Sequence, residues 1–208
     1  MTRMGGFIRA LKSEVRSYAV PSRPARTFLF ARNFFKHPKM LGSPIPSPKV
    51  LIEEVLGRVE WPAARVVVEY GPGVGDFTGE ILRRMRPEAQ LLVIETNDEF
   101  VECLRGSLPD PRLHVAHGSA AEVGNLLARL GCGRADCIIS GIPFSTMPGS
   151  AREEILKATC SVLQPQGNFL VYQYSRRVFP SLKRVFREVR RDFRLLGFLP
   201  IWLFHCAP

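Results

Sequence analysis

No run in the 208 residues approaches the roughly 18 consecutive apolar residues that a spanning helix requires. The longest apolar stretch, residues 195–204, is too short and contains Pro200. The N-terminus lacks both a continuous apolar h-region and a small-residue cleavage site, so a secretory signal is not expected. C-x-x-C spacing is missing among Cys103, Cys132, Cys137, Cys160 and Cys206, and five is an odd number. Neither a zinc site nor a disulfide framework is indicated; the pattern reads as core thiols in a reducing cytosol, with no metal expected. Internal repeats and low-complexity tracts are also missing. A dinucleotide G-x-G-x-x-G fingerprint fails on one residue, because the third glycine would fall at Asp76.

Acidic residues are scarce at the two ends. Residues 1–49 hold ten Lys/Arg against Glu14 alone, residues 50–175 hold eleven against sixteen acids, and residues 176–208 hold eight against two. A net charge of +10 therefore hides an acidic body between basic ends. A general nucleic-acid binder would be basic throughout, so nucleic acid is not the expected partner, although a basic arm alone can still bind it.

What is present begins with an amphipathic pattern. Met4, Phe7, Ile8, Leu11, Val15 and Tyr18 share one helical face, and Arg9, Lys12, Ser13 and Arg16 share the opposite one. Pro21 and Pro24 break the chain, and residues 26–36 then set Phe28, Leu29, Phe30, Phe34 and Phe35 among Arg26, Arg32 and Lys36. Two readings stand open and are compatible. The extension, residues 1–46, folds back as a lid over the active site, or it lies on anionic lipid with its basic face toward the head groups. Each basic residue there contributes on the order of 1 kcal/mol.

Residues 47–208 read as one domain. Ser47 is a fair N-cap with Pro48 at the first helical position. Leu51, Ile52, Val55, Leu56 and Val59 then form a core-facing stripe. Strands and helices alternate afterwards, with strands at Val66-Val67-Val68, Leu91-Leu92-Val93-Ile94, around Leu113 to Ala116, at Cys137-Ile138-Ile139 and at Phe169-Leu170-Val171-Tyr172. Ser119-Ala120-Ala121-Glu122 is a capping box, and Gly131 closes the helix it opens. Alternation of this kind predicts an α/β fold, a mostly parallel sheet with helices on both faces. The tail from Arg194 to Cys206 reads as a closing antiparallel pair around Pro200. The run Lys183, Arg184, Arg187, Arg190, Arg191 and Arg194 reads as a solvated helix face, with a second membrane contact as the alternative.

The chain is organised around Glu69-Tyr70-Gly71-Pro72-Gly73-Val74-Gly75, where a strand enters three alternate glycines and then a helix. In open α/β sheets ligands bind beyond the carboxyl ends of the strands. The first end supplies Glu69, Gly71, Gly73 and Gly75. The second ends in Glu95, twenty residues after Gly75, suited to ribose hydroxyls. The third leads to Gly118, Ser119 and Ala120, facing an adenine, and the fourth to Ser140-Gly141-Ile142-Pro143-Phe144. Together these predict an S-adenosylmethionine (SAM) site, with S-adenosylhomocysteine as product.

These stretches, with Phe34-Phe35-Lys36-His37-Pro38 and residues 43–47 upstream, resemble bacterial phospholipid N-methyltransferases. The resemblance covers most of the chain. It implies a Rossmann-like class I fold with a seven-stranded sheet, SAM contacts at Glu69, Gly71, Gly73 and Glu95, and a membrane-adsorbing N-terminal helix. It also implies stepwise methylation of phosphatidylethanolamine toward phosphatidylcholine, placing the protein peripherally on the cytoplasmic face of the membrane. The related rRNA adenine dimethyltransferases carry Asn-Leu-Pro-Tyr after the fourth strand. Here Gly141 offers no acceptor side chain, which demotes base methylation, and Phe144 is left to stack on substrate. Ser119 stands where both families commonly place Asp.

Methyl transfer to an amine asks mainly for positioning, and orientation supplies about 7–11 kcal/mol in favourable cases. The ammonium must first lose a proton. Tyr18 and His37, with Ser140 and Pro143 of the fourth-strand loop, are the expected catalytic residues; His114, His117, Tyr172 and Tyr174 are further candidates. Arg26, Arg32, Lys36, Arg176 and Arg177 suit a lipid phosphate. Two alternatives remain, an RNA adenine methyltransferase and a silent SAM-fold lipid-binding protein. The oligomeric state is not legible.

Overall fold

The computed structural model describes residues 48–196 and 199–208. The expected amphipathic extension, with Arg9, Lys12, Arg16, Tyr18, Arg26, Arg32, Lys36 and His37, lies outside the described residues, as does Ser47. Helix α1 (Lys49–Leu56) is preceded by Pro48, which is its extended N-cap and not its first helical residue. Leu51, Ile52, Val55 and Leu56 on its stripe are all buried.

The β-branched run forms β1 (Val66–Tyr70). It is followed by α2 (Asp76–Arg84), β2 (Gln90–Glu95), α3 (Asp98–Ser107) and β3 (Leu113–His117). The capping box at Ser119 holds, but it opens a 3-10 turn (Ala120–Glu122) that leads into α4 (Val123–Arg129). Then come β4 (Ala135–Ser140), α5 (Gly149–Val162), β5 (Leu163–Gln173), α6 (Phe179–Val185), β6 (Glu188–Leu196) and β7 (Leu199–Ala207).

All seven strands form one sheet in the order β3-β2-β1-β4-β5-β7-β6. The first five are parallel; β7 pairs antiparallel with both β5 and β6. Val67 joins the layer packed on α1 and α2, with Ile81, Leu91 and Leu170. Val68 joins the opposite layer, with Ile138, Leu156 and Phe169. Burial on both faces explains why β1, β2 and β4 read as continuous apolar runs with no alternation.

Arg112 ties β3's entry to the end of α2. Its guanidinium donates to the carbonyls of Leu82 (2.9 Å), in the last turn of α2, and of Met85 (3.2 Å) and Arg86 (3.2 Å) just after it. The five cysteines are free thiols, with Cys103, Cys137 and Cys206 buried.

Two expectations about the tail need correction. The antiparallel pair starts at Glu188, and Pro200 lies inside it opposite Leu195. It is tolerated there because the β5 ladder stops at Trp202, so no neighbour on that side needs its missing N–H. The basic run is not one helix face either. Lys183 and Arg184 close α6, whereas Arg190, Arg191 and Arg194 lie on edge strand β6. Charge there blunts an edge against pairing with another chain. Among the described residues, no helix is long and apolar enough to cross a membrane.

Candidate functional site

The parallel ladders continue one residue past each strand and bring four strand ends to one rim. Gly71 N–H donates to the Ile94 carbonyl (3.0 Å), Gly118 N–H to the Glu95 carbonyl (2.9 Å) and Gly141 N–H to the Tyr70 carbonyl (3.1 Å). Between them the loop turns with φ of 67° at Gly71, 56° at Gly73 and 84° at Gly75. Side chains are strained in that region, which is why glycine recurs at alternate positions.

Above the rim opens a cleft of about 290 Å³. Gly71, Glu95, Ser119, Ala120 and Pro143, all expected from the sequence, line it. Thr96, Thr146, Met147 and, from helix α5, Ile155 also line it and are not singled out by any sequence motif. Glu95 is 7% exposed. Its carboxylate accepts from the N–H of Gly73 (3.1 Å), Thr96 (2.8 Å) and Asn97 (3.0 Å), so one side chain ties the glycine loop to the end of β2. Burial raises its pKa, and the backbone donors Asn97, Gly73 and Thr96 oppose that.

Ser119 accepts from Ala121 N–H at 3.2 Å, and Glu122 accepts from Ser119 N–H at 3.1 Å. The Ser119 oxygen thus serves the local turn, while its hydroxyl hydrogen is chemically able to meet a ligand.

Glu69, Gly75 and Ser140 sit behind the wall. Gly75 is the left-handed N-cap of α2. Ser140 is fully buried, and its hydroxyl has no partner among the described residues. Glu69 points beneath the loop, where Thr78 donates its hydroxyl at 2.6 Å. Burial pushes the Glu69 carboxyl up to about 8; Thr78 opposes this, and Glu95 and Asp76 add to it. The native state thus holds a proton that the unfolded chain, near 4.5, has lost. That stabilisation is full below about pH 4.5, declines by up to about 1.4 kcal/mol per pH unit, and is gone once the folded group ionises near pH 8. Glu69→Gln has nothing to titrate there. In urea melts its stability relative to wild type should climb between about pH 5 and 8; parallel profiles would show that Glu69 is already ionised in the fold.

The structure corrects the expectation for Phe144. Its ring is fully buried, edge-on to Phe169 at 6.3 Å, and cannot stack on a substrate in the cleft. His114 bonds Gln90 at 2.6 Å, at the opposite end of β2 from the rim. His117 is exposed and pairs with Asp98 at 3.2 Å. Arg176 and Arg177 are exposed in a 3-10 turn just beyond the carboxyl end of β5. Among the described residues, no cluster of His, Cys, Asp or Glu is placed to hold a metal ion.

The donor set fits an adenosyl sulfonium. A buried carboxylate faces the cleft, left-handed glycines leave the backbone open, and the Ser140 hydroxyl below the rim is without a partner among the described residues. Solved methyltransferases share this fold at low identity. Precorrin-6y C5,15-methyltransferase from Geobacter metallireducens matches with a TM-score of 0.62 and 14% identity, over 78% of this chain and 90% of that one. N-methyltransferase NodS from Bradyrhizobium japonicum, solved with S-adenosylhomocysteine, matches with a TM-score of 0.59 and 12% identity, over 76% and 84%. The fold is that of the class I methyltransferases.

No protein-family model matches the chain. Ornithine lipid N-methyltransferase of Singulisphaera acidiphila is 32% identical over 168 residues, 76% of this chain and 88% of that protein. The chain belongs to that family and is a SAM-dependent lipid N-methyltransferase. Ribosomal RNA small subunit methyltransferase A of Acidithiobacillus ferrooxidans is 27% identical over 116 residues, 56% of this chain and 38% of that protein.

Proposed function

We propose that the methyl acceptor is the amino nitrogen of a membrane lipid head group, the primary amine of phosphatidylethanolamine and then the amines of its mono- and dimethyl products. The carrying observation is the fourth-strand loop: its aromatic residue, Phe144, is buried in the core, so the loop offers the cleft only the aliphatic Ile142 and Pro143 and no aromatic platform for a nucleobase. A small aliphatic amine needs no such platform. The cofactor, when bound, supplies an electrophilic methyl whose bond to sulfur breaks, leaving its electron pair on sulfur, as the amine lone pair forms the C–N bond. Glu95 would hold the ribose hydroxyls, Ser119 and Ala120 the adenine, and the Gly71, Gly73, Gly75 loop the remaining backbone-facing edge. Glu69 and Ser140 would support that loop and rim from beneath.

In the same proposal residues 1–46 adsorb to anionic lipid at the cytoplasmic face of the membrane and cover the cleft, and residues 47–208 form the catalytic domain. Tyr18 and His37 are candidate proton acceptors, and Arg26, Arg32, Lys36, Arg176 and Arg177 candidate phosphate contacts. A second reading has specific support: the relative of 32% identity acts on ornithine lipid, which also presents a primary amine.

The test uses labelled SAM with vesicles containing phosphatidylethanolamine, vesicles containing ornithine lipid, and rRNA, each with the full chain and with a chain lacking residues 1–20. Label in phosphatidylethanolamine, lost together with vesicle co-sedimentation on truncation, is the expected result. Label confined to ornithine lipid selects the second reading. Label in RNA alone sinks both.

A further inference from the structure

Strand alternation divides β6 into two chemically different faces. Glu188, Arg190, Asp192 and Arg194 share one, and Val189, Arg191, Phe193 and Leu195 share the other. The first face is closed by ion pairs. Glu188 accepts from Arg190 at 2.6 Å and Asp192 from Arg58 at 2.5 Å. Glu54 of α1 accepts from Arg58 at 2.8 Å and from Arg194 at 3.1 Å. Both acids of the strand are thereby satisfied, and this side of the β6–β7 pair is pinned to α1.

The other face of β6 carries no acid. Arg191 lies over two rings, 4.6 Å from the centroid of Phe179 and 6.0 Å from that of Trp202. Phe193 sits beside Trp202 with ring centroids 5.1 Å apart, and Leu195 is paired with Pro200. Phe193 is 48% exposed and Leu195 65%. Their place in the sheet matters as much as their exposure. Phe193 pairs with Trp202, and Trp202 with Gln173, the last residue of β5. Leu195 therefore projects about 7 Å past the carboxyl end of β5, on the rim where the cleft opens. Tyr174, Arg176 and Arg177 follow β5 at the same end. Three of the four large apolar side chains exposed among the described residues, Tyr174, Phe193 and Leu195, thus gather there. In the order β4-β5-β7-β6 the patch is three strand spacings from the β4 loop, about 14 Å.

Charge decides what such a patch can meet. A second copy adding its own β6 to this edge would bring Arg190, Arg191 and Arg194 against the same cations. An anionic bilayer suits it instead: rings and leucine enter at the acyl boundary, and arginine extends to the phosphates. We propose that the Arg191, Phe193, Leu195 and Trp202 face of the β6–β7 pair docks on an anionic phospholipid surface and holds the cleft toward the head groups. That orientation serves catalysis only if the acceptor is a membrane lipid, and in this the proposal rests on the reading above. The docking face itself depends neither on which amino lipid is used nor on residues 1–46.

Trp61 and Trp202 are the two tryptophans, so Trp61→Phe leaves Trp202 as a reporter within the patch. The full-length Trp61→Phe protein is mixed with phosphatidylglycerol vesicles whose acyl chains are brominated, and with brominated phosphatidylcholine vesicles as the neutral arm. Trp202 emission should be quenched in the first arm and far less in the second. In the otherwise wild-type chain, Phe193→Ser with Leu195→Ser should weaken partitioning onto anionic vesicles by about tenfold, and Arg191→Gln by about fivefold. Transfer to phosphatidylethanolamine or ornithine lipid in those vesicles, whichever the wild type methylates, should fall with partitioning. Transfer to a short-chain, monomeric form of the same lipid should stay as in wild type. Vesicle binding with Trp202 unquenched would place the contact elsewhere in the chain and overturn the proposal. Unchanged partitioning of the variants would overturn it too, as would an equal loss on monomeric and vesicle substrate. Loss of self-association in sedimentation velocity, with vesicle binding intact, would assign the patch to a second copy. Quenched Trp202 with no lipid labelled overturns only the acceptor assignment and leaves the docking face standing.

Discussion

Glu95→Ala is expected to reduce the affinity for SAM by about 100-fold or more and to lower stability by about 2–4 kcal/mol. Both effects come from one carboxylate. It accepts from Gly73, Thr96 and Asn97, and stranding such donors costs about 1–3 kcal/mol each where water cannot replace the carboxylate. The largest part of the binding loss comes from the loop. Three residues with left-handed φ are held in one conformation, and Gly73 is tethered across to β2 through Glu95. Without that tether the ligand must order the loop itself, at about 1–2 kcal/mol per residue. Glu95→Gln should fall between, because an amide offers one acceptor oxygen where the carboxylate offers two. Calorimetric titration with SAM and thermal melts separate the two effects. Wild-type affinity in a folded Glu95→Ala protein would remove Glu95 from the site.

How this site was legible depends on the range of each signal. Glu95 could be found because its spacing from the glycines is a distance along one βαβ unit. The three glycines could be found because only positive φ explains them at alternate positions. Phe144 could not be placed: its ring turned away from the cleft into edge-on packing with Phe169, a residue twenty-five positions later. Tyr172 was one of several unranked candidates, because its place depends on the register of β5 against β4 and on the missing Cβ of Gly141.

Elsewhere the local signal was weak. Helix α5 buries only Ile155, Leu156 and Thr159, a stripe that an apolar count overlooks. The Thr159 hydroxyl satisfies itself on the Ile155 carbonyl (2.7 Å) and lies 3.2 Å from the Tyr70 hydroxyl. The basic run after Lys183 has no period to betray that a helix becomes a strand at Glu188. Its charge was visible and its geometry was not.

Gly141→Asn tests how the β4 loop fits against β5: a Cβ at Gly141 would lie 2.8 Å from Tyr172 Cζ, and the Tyr172 ring stacks on Phe77 of α2 at 4.7 Å. The sequence alone suggests that asparagine here would move the site toward that of the adenine dimethyltransferases, adding an acceptor where there was none. The structure predicts that the asparagine has no room. The conflict begins at Cβ, against a phenol with two torsions, held on Phe77 and unable to swing aside without breaking that stack. Overpacking of this kind costs about 1–3 kcal/mol. Lipid methylation is expected to fall by about 100-fold or more with no gain of RNA methylation, since displacing Tyr172 also displaces the loop over Gly71. Gly141→Ala should reproduce most of the melting-temperature loss, because Cβ alone makes the contact. Combining Gly141→Asn with Tyr172→Ala removes the conflict and should recover stability relative to Gly141→Asn alone, a non-additive result expected only of residues in direct contact. Strict additivity in that cycle would mean that the two positions do not compete for one space, and the account of the rim would fall with it.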